Sequence, residues 1–180
     1  MKTDQEKFIN KYKYAAIIDG ALTGVPPSIT LAQAILESGW GKSTLATNGN
    51  NFFGIKKHDW TGKTIVLPTQ EYVNGAYLDV NAEWRAYPNA FSSFNDHSKF
   101  LIDNTRYADL FSLDFKDYKG WSYGLKSAGY ATSPTYAIKL INLIESYNLN
   151  RFDKRADVLN IGVSIAGVLA ALSVLYIISI

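Results

Sequence analysis

Few side chains in this chain can do covalent or proton-transfer chemistry. There is no cysteine and there are only two histidines, His58 and His97, too few for the usual zinc-binding constellations, so neither a metal nor another cofactor is expected. Both histidines read as structural. The carboxylates are the first candidates for proton transfer. The carboxylate in the most distinctive setting is Glu37, at the end of the run Ile29 to Ser43, ITLAQAILESGWGKS. It follows an apolar helical face of Ile29, Ala32, Ile35 and Leu36 and precedes Ser38-Gly39-Trp40-Gly41. A carboxylate at the edge of a buried face, near the negative end of the helix dipole, favours its protonated form. That is the state a general acid needs.

The elements that must hold such an acid follow from periodicity and turn signals. Thr3 and Glu6 have capping-box spacing, and a helical pattern runs to Leu22, broken by Gly24 and Pro26-Pro27. Ser28 is expected to cap the helix that carries Glu37. Asn48 to Asn51 and Gly54 read as turns, with Phe52, Phe53 and Ile55 packed beneath them. Lys63 to Leu67 and Ala76 to Val80 read as strands around a Pro68/Asn74-Gly75 turn region, and Glu83 to Tyr87 is a candidate third, for two or three strands in all. Asp96 is expected to open a further helix, with Phe100, Leu101 and Tyr107 on its face, and helices resume through Trp121 to Ser127 and Pro134 to Tyr147. The pattern is α+β: mostly helical, with one small antiparallel β lobe.

The size of 180 residues and 47% hydrophobic content suit one domain with a proper core. The net charge of +2 forms no basic stripe, so no nucleic-acid partner is expected. The lysine- and glutamate-studded start is no secretory signal peptide. The other end differs: Val158 to Ile180 is 23 residues without a charge. As a helix it would span about 35 Å, enough to cross a ~30 Å hydrocarbon core with some tilt. The expectation is a transmembrane helix over 158–180 that partners a lipid bilayer, a single-pass C-terminal anchor. Arg151, Lys154 and Arg155 before it favour leaving the preceding domain on the cytoplasmic side.

Five runs, in order, carry a resemblance to a known family. They are ITLAQAILESGWGKS, NNFFGIK at Asn50 to Lys56, WTGKTIVLPTQEY at Trp60 to Tyr72, WRAYPNAFSSFNDHSKFL at Trp84 to Leu101, and AGYATSPTYAIKLINLIESYNL at Ala128 to Leu149. Together they make the chain from about Phe8 to Asp153 resemble the glucosaminidase-type peptidoglycan hydrolases of glycoside hydrolase family 73, which sets the expected catalytic domain at residues 1–153. The resemblance implies a lysozyme-like fold and hydrolysis of the β-1,4 bond after N-acetylglucosamine in the glycan strand of peptidoglycan. It implies Glu37 as the catalytic acid, Glu71 as the second carboxylate on the β lobe, and Tyr130 as a tyrosine important for activity. Where the family often has Glu-Ser, this chain has Ser92-Ser93, and the next acid is Asp96.

Such cleavage needs a proton donor and usually a second carboxylate. Glu71 can fill that second place or be a solvated strand residue. The Tyr130 hydroxyl can orient an N-acetyl group or a water, or merely pack. Trp40, Asn51, Phe53, Trp60 and Tyr72 are the candidates for substrate contact, Trp60 because an aromatic face on a loop can stack on a pyranose. The alternatives are a muramidase or lytic transglycosylase of the same fold, and a catalytically dead, membrane-anchored wall-binding protein. An anchored hydrolase would suit a phage lysis or virion protein, or a tail-anchored autolysin.

Overall fold

The structure, a computed structural model, describes residues 2–73 and 76–156. The expected anchor at Val158 to Ile180 lies outside the described residues. Among those described, no helix is long and apolar enough to cross a membrane.

Helix α1 spans Asp4–Thr23 and opens with the expected capping box between Thr3 and Glu6. Helix α2, Pro27–Ser38, is the centre of the domain: every residue from Pro27 to Ile35 is buried. A helix apolar enough to be enclosed on all sides has to be surrounded. Here α1, α5, α6 and the 3₁₀ turn Leu149–Phe152 pack around it.

Its entry differs from the expectation. Pro26, not Ser28, occupies the cap position, and Pro26 offers no capping side chain. The cap comes from the far end of the domain instead. The Asp153 carboxylate accepts the Ser28 N–H at 2.8 Å and the Ser28 hydroxyl at 2.7 Å. An anion placed there satisfies a donor that the first turn of a helix cannot satisfy itself.

A short helix α3, Thr44–Gly49, capped by Ser43, replaces part of the expected turn region. Of the two or three strands expected, the β lobe has two among the described residues. Strand β1 is Thr64–Val73 and β2 is Ala76–Arg85, in continuous antiparallel register from Thr64↔Arg85 to Val73↔Ala76. Pro68 continues β1 opposite Asn81, since every strand of a two-stranded ribbon is an edge and a missing N–H can face outward. Residues Glu83 to Arg85 are the end of β2.

Helix α4, Ala90–Asp103, opens at Asn89, whose side chain accepts the Ser92 N–H, seven residues ahead of Asp96. Asp96 sits inside this helix, where it accepts from Arg85 at 2.8 Å and from the Tyr87 hydroxyl at 2.7 Å. That pair pins the base of the ribbon to the helical body. Tyr107 belongs to a 3₁₀ segment, Thr105–Ser112, beyond α4. Helices α5, Tyr118–Ser127, and α6, Tyr136–Ser146, complete the core.

Two buried carboxylates tie these elements together. Asp19 on α1 accepts from Asn95 and Ser98 on α4, and Asp153 holds α2. Burial raises their pKa values, to about 6 for Asp19 and about 7 for Asp153. A carboxylate whose folded pKa lies above its unfolded value of 3.8 binds more protons in the native state. Its stabilising contribution is therefore complete below pH 4 and is lost as pH rises through the folded value. Asp153→Asn keeps an acceptor for the Ser28 N–H and removes this titration. The melting temperature of the variant relative to wild type should rise by several degrees between pH 4 and pH 7.5, at about 1.4 kcal/mol per pKa unit. Thermal melts across that range check it, and a constant difference would contradict it.

Candidate active site

The site begins at the end of α2. Gly39 closes the helix in the left-handed region at φ 55°, and Trp40 and Gly41 follow at φ 62° and φ 73°. Three left-handed residues in succession turn the chain sharply away from Glu37. Trp40 accepts this conformation, costly for a residue with a side chain, because its ring packs edge-on between Phe8 and Tyr147. At Gly41 a Cβ would lie 2.9 Å from the Phe8 ring, so only glycine fits. The Ser38 hydroxyl accepts the Gly41 N–H at 2.7 Å and donates to the Ala34 carbonyl, locking the turn onto its helix.

Glu37 emerges from this turn into a cleft of about 350 Å³. The α3–β1 loop contributes Phe53, Ile55, Lys56 and His58, strand β2 contributes Trp84, and α4 contributes Phe100. The 3₁₀ segment brings Arg106 and Tyr107, and the α5–α6 loop brings Tyr130. The Glu37 side chain opens to this space, yet protein packed around its carboxyl raises its pKa, opposed by a hydrogen bond from Tyr136 and the charge of Lys139. Desolvation is the larger effect, so the proton is held more tightly than on a free glutamate.

Tyr136, at the start of α6, is a partner of Glu37 that the sequence did not reveal. Its hydroxyl donates to Glu37 Oε1 at 3.2 Å and accepts from the Gln33 amide at 3.0 Å. Gln33 is four residues before Glu37 on the same face of α2 and is fully buried. Because the amide N–H engages the phenol oxygen, the phenol proton points to Glu37. The spacing of Gln33 and Glu37 was a visible signal; the arrival of Tyr136 was not, since it comes from a helix about a hundred residues away.

Tyr130 lines the cleft with its ring stacked on Tyr136 at 5.6 Å. Burial and the nearby Tyr136 and Glu37 hold its pKa well above the ordinary phenol range, so it stays a neutral hydroxyl. Phe53 forms part of the wall and is backed by His97, stacked at 4.0 Å. His97 is fully buried, neither ring nitrogen has a hydrogen-bond partner, and burial pushes its pKa down to about 3. It serves as an uncharged plate behind Phe53.

The other sequence candidates fall differently. Trp40 is a packing residue of the turn, outside the cleft lining. Asn51 is 1% exposed, and its amide is used up by the Ile55 and Arg85 carbonyls and the Ile55 N–H, so it braces the loop beneath the cleft instead of facing substrate. Trp60 lies beside the cleft, its indole donating to the Lys63 carbonyl and its ring over Arg85. Glu71 and Tyr72 are described by register alone, paired with Leu78 and Tyr77. Position 71 shares the register parity of Ile65, which pairs with Trp84, the ribbon residue in the cleft wall. Among the described residues no group of acids and histidines could hold a metal ion.

An acid at the end of a buried helix, facing a two-stranded ribbon across a cleft, defines a carboxylate-bearing α+β domain. Residues 13–149 match the glucosaminidase family model, described as mannosyl-glycoprotein endo-beta-N-acetylglucosaminidase. The chain belongs to this family. It is 36% identical over 156 residues to the exo-glucosaminidase LytG of Bacillus subtilis, covering 84% of this chain and 54% of that protein. It is also 36% identical over 155 residues to a probable N-acetylmuramidase of Lactococcus lactis subsp. cremoris, covering 82% and 35%. The chain thus spans about half and about a third of these relatives. The catalytic domain of the autolysin Auto from Listeria monocytogenes superposes with a TM-score of 0.76 at 35% identity, covering 84% of this chain and 89% of that one. The fold is accordingly lysozyme-like α+β.

If Tyr136 holds the Glu37 carboxylate by donating to it, removing the hydroxyl raises the pKa of Glu37 further. Tyr136→Phe should lower kcat about tenfold and move the alkaline limb of the activity profile to higher pH. A pH–rate profile reads both, and an unmoved alkaline limb would reduce Tyr136 to packing.

Proposed function

We propose that this domain hydrolyses the glycan strand of bacterial peptidoglycan as an endo-β-N-acetylglucosaminidase. The observation that carries the reading is Glu37 itself. It stands at the mouth of a cleft, oriented by Tyr136, with its pKa raised by packing. In this role Glu37 protonates the leaving glycosidic oxygen as the bond breaks. Charge developing on the sugar ring then requires a second carboxylate, to steady it and to activate water or attack directly.

Glu71 is assigned that second role. Support comes from its position on β1, on the register face that also carries Trp84, and from the engagement of Asp96 elsewhere. The Arg85 and Tyr87 bonds occupy Asp96 at the ribbon base. Tyr130 presents a neutral hydroxyl beside the acid and suits the N-acetyl group or the attacking water. Phe53 and Trp84 supply apolar faces for pyranose rings. Trp60, on the loop leading to β1, is assigned to an outer sugar position, whereas Tyr72 has the register parity opposite to that of Glu71 and Trp84.

Glu37→Gln should cut hydrolysis of purified peptidoglycan by about 10²–10⁴-fold, and Glu71→Gln by a comparable factor, measured as reducing ends released. Full clearing by the Glu37 variant would remove the assignment of the acid. Near-normal turnover by the Glu71 variant would remove its assignment as the second carboxylate. The similarity to a probable N-acetylmuramidase favours one second reading, cleavage of the other glycan bond. Mass spectrometry of the released fragments separates them: N-acetylglucosamine at the new reducing ends supports the proposal, and N-acetylmuramic acid supports the alternative.

The proposal extends to location. The 23 uncharged residues from Val158 to Ile180 are assigned as a single-pass anchor in a lipid bilayer, supported by length and lack of charge. The basic residues before them favour a domain held on the cytoplasmic side until that membrane is breached, as phage lysis would require. The full chain should remain with membranes after alkaline carbonate washing, and a chain ending at residue 157 should not. Digestion of the domain by protease added to intact spheroplasts would overturn the cytoplasmic orientation.

A further inference from the structure

A second cavity, of about 360 Å³, lies between the 3₁₀ segment Thr105–Ser112 and α5. Arg106 lines both this cavity and the cleft that holds Glu37, so the two spaces share a wall. A 3₁₀ helix repeats every three residues, which places Asp109 on the same edge as Arg106. Both are exposed, and Asp109 lines the second cavity alone. One edge therefore offers a cation next to the cleft and an anion beyond it.

The opposite wall is α5, where Gly120 and Gly124 lie one turn apart, covered at their Cα positions by the Asp117 carboxylate and by Leu110. Gly124 is required by packing: a Cβ there would sit 2.3 Å from Leu110 Cδ2. Leu110 and Leu113 supply an apolar floor.

We propose that this cavity binds the peptide carried by the glycan strand, an inference that rests on the peptidoglycan reading above. Such a peptide is short, has small side chains, and carries free carboxylates and an amine. A carboxylate matches the guanidinium fork of Arg106 and the amine matches Asp109. Methyl groups meet the two leucines. The volume falls within the ~300–1,000 Å³ usual for small-ligand sites. A glycan stripped of peptide keeps a lactyl carboxylate on each muramic acid but has no amine to offer Asp109. The cavity therefore acts on specificity, through peptide binding beside the cleft, and leaves the chemistry to Glu37.

The test compares kcat/KM on peptide-bearing strands with that on length-matched strands stripped by an amidase. Wild type should prefer the peptide-bearing strands. Asp109→Ala and Asp109→Lys should lose about tenfold on these, the ordinary worth of one charge-assisted hydrogen bond, while keeping wild-type turnover of stripped strands. Retained turnover of stripped strands also shows that the variants fold. Equal wild-type rates on the two substrates would overturn the inference, as would Asp109 variants that keep the preference or lose equally on both. Wild type that cleaves neither substrate would overturn the glycosidase reading itself.

Discussion

The structure depends on the enclosure of α2. From Pro27 to Ile35 the helix is buried on every side, so α1, α5, α6 and the final 3₁₀ turn are arranged by the need to surround it. Enclosure leaves one place where the helix can meet solvent, its last turn. Glu37 stands there. A buried helix is also a rigid one, because close packing leaves its side chains little room to reorient. The acid therefore inherits its position from the core, and the left-handed turn through Gly39, Trp40 and Gly41 clears the chain away from it.

That enclosure creates polar obligations inside the domain, and each is met by a distant partner. The first turn of α2 has N–H groups with no acceptor of their own, and Asp153 reaches back to serve Ser28. Gln33 is sealed within the helix bundle, and its amide finds the Tyr136 hydroxyl, which in turn reaches Glu37. The same physical rule, that buried donors must be paired, thus links both ends of α2 to the C-terminal third of the chain. It also couples stability and chemistry, since one of these partners orients the acid.

The ribbon obeys a different constraint. Two strands alone bury little, so the lobe depends on its base. There, Arg85 and Tyr87 engage Asp96, Asn51 serves two carbonyls and an N–H, and Trp60 lies over Arg85. The base of the lobe is thereby fixed to the body beside the cleft wall formed by Trp84. Asp96 and Asn51, polar residues near the site by sequence, are spent on this attachment.

Local patterns in the sequence were sufficient for α1, the apolar face of α2 and the pattern through α5 and α6, because periodicity and caps such as Thr3 with Glu6 are read within a few residues. The position of Glu37 at the end of an apolar helix was legible for the same reason, and the motif runs carried the family. What needed tertiary structure were the contacts made across the chain. Ser28 looks like a cap until Asp153 arrives from 125 residues away. Asp96 looks like a helix start until Asn89 takes that place and Arg85 claims the carboxylate. Tyr136 is one tyrosine among twelve until the fold sets its hydroxyl against Glu37. The sequence by itself determined which residues can form helices and which one can serve as an acid, since those follow from residue type and near neighbours. Only the tertiary structure decided which buried donor meets which acceptor, because pairing depends on where distant segments are brought by the burial of α2.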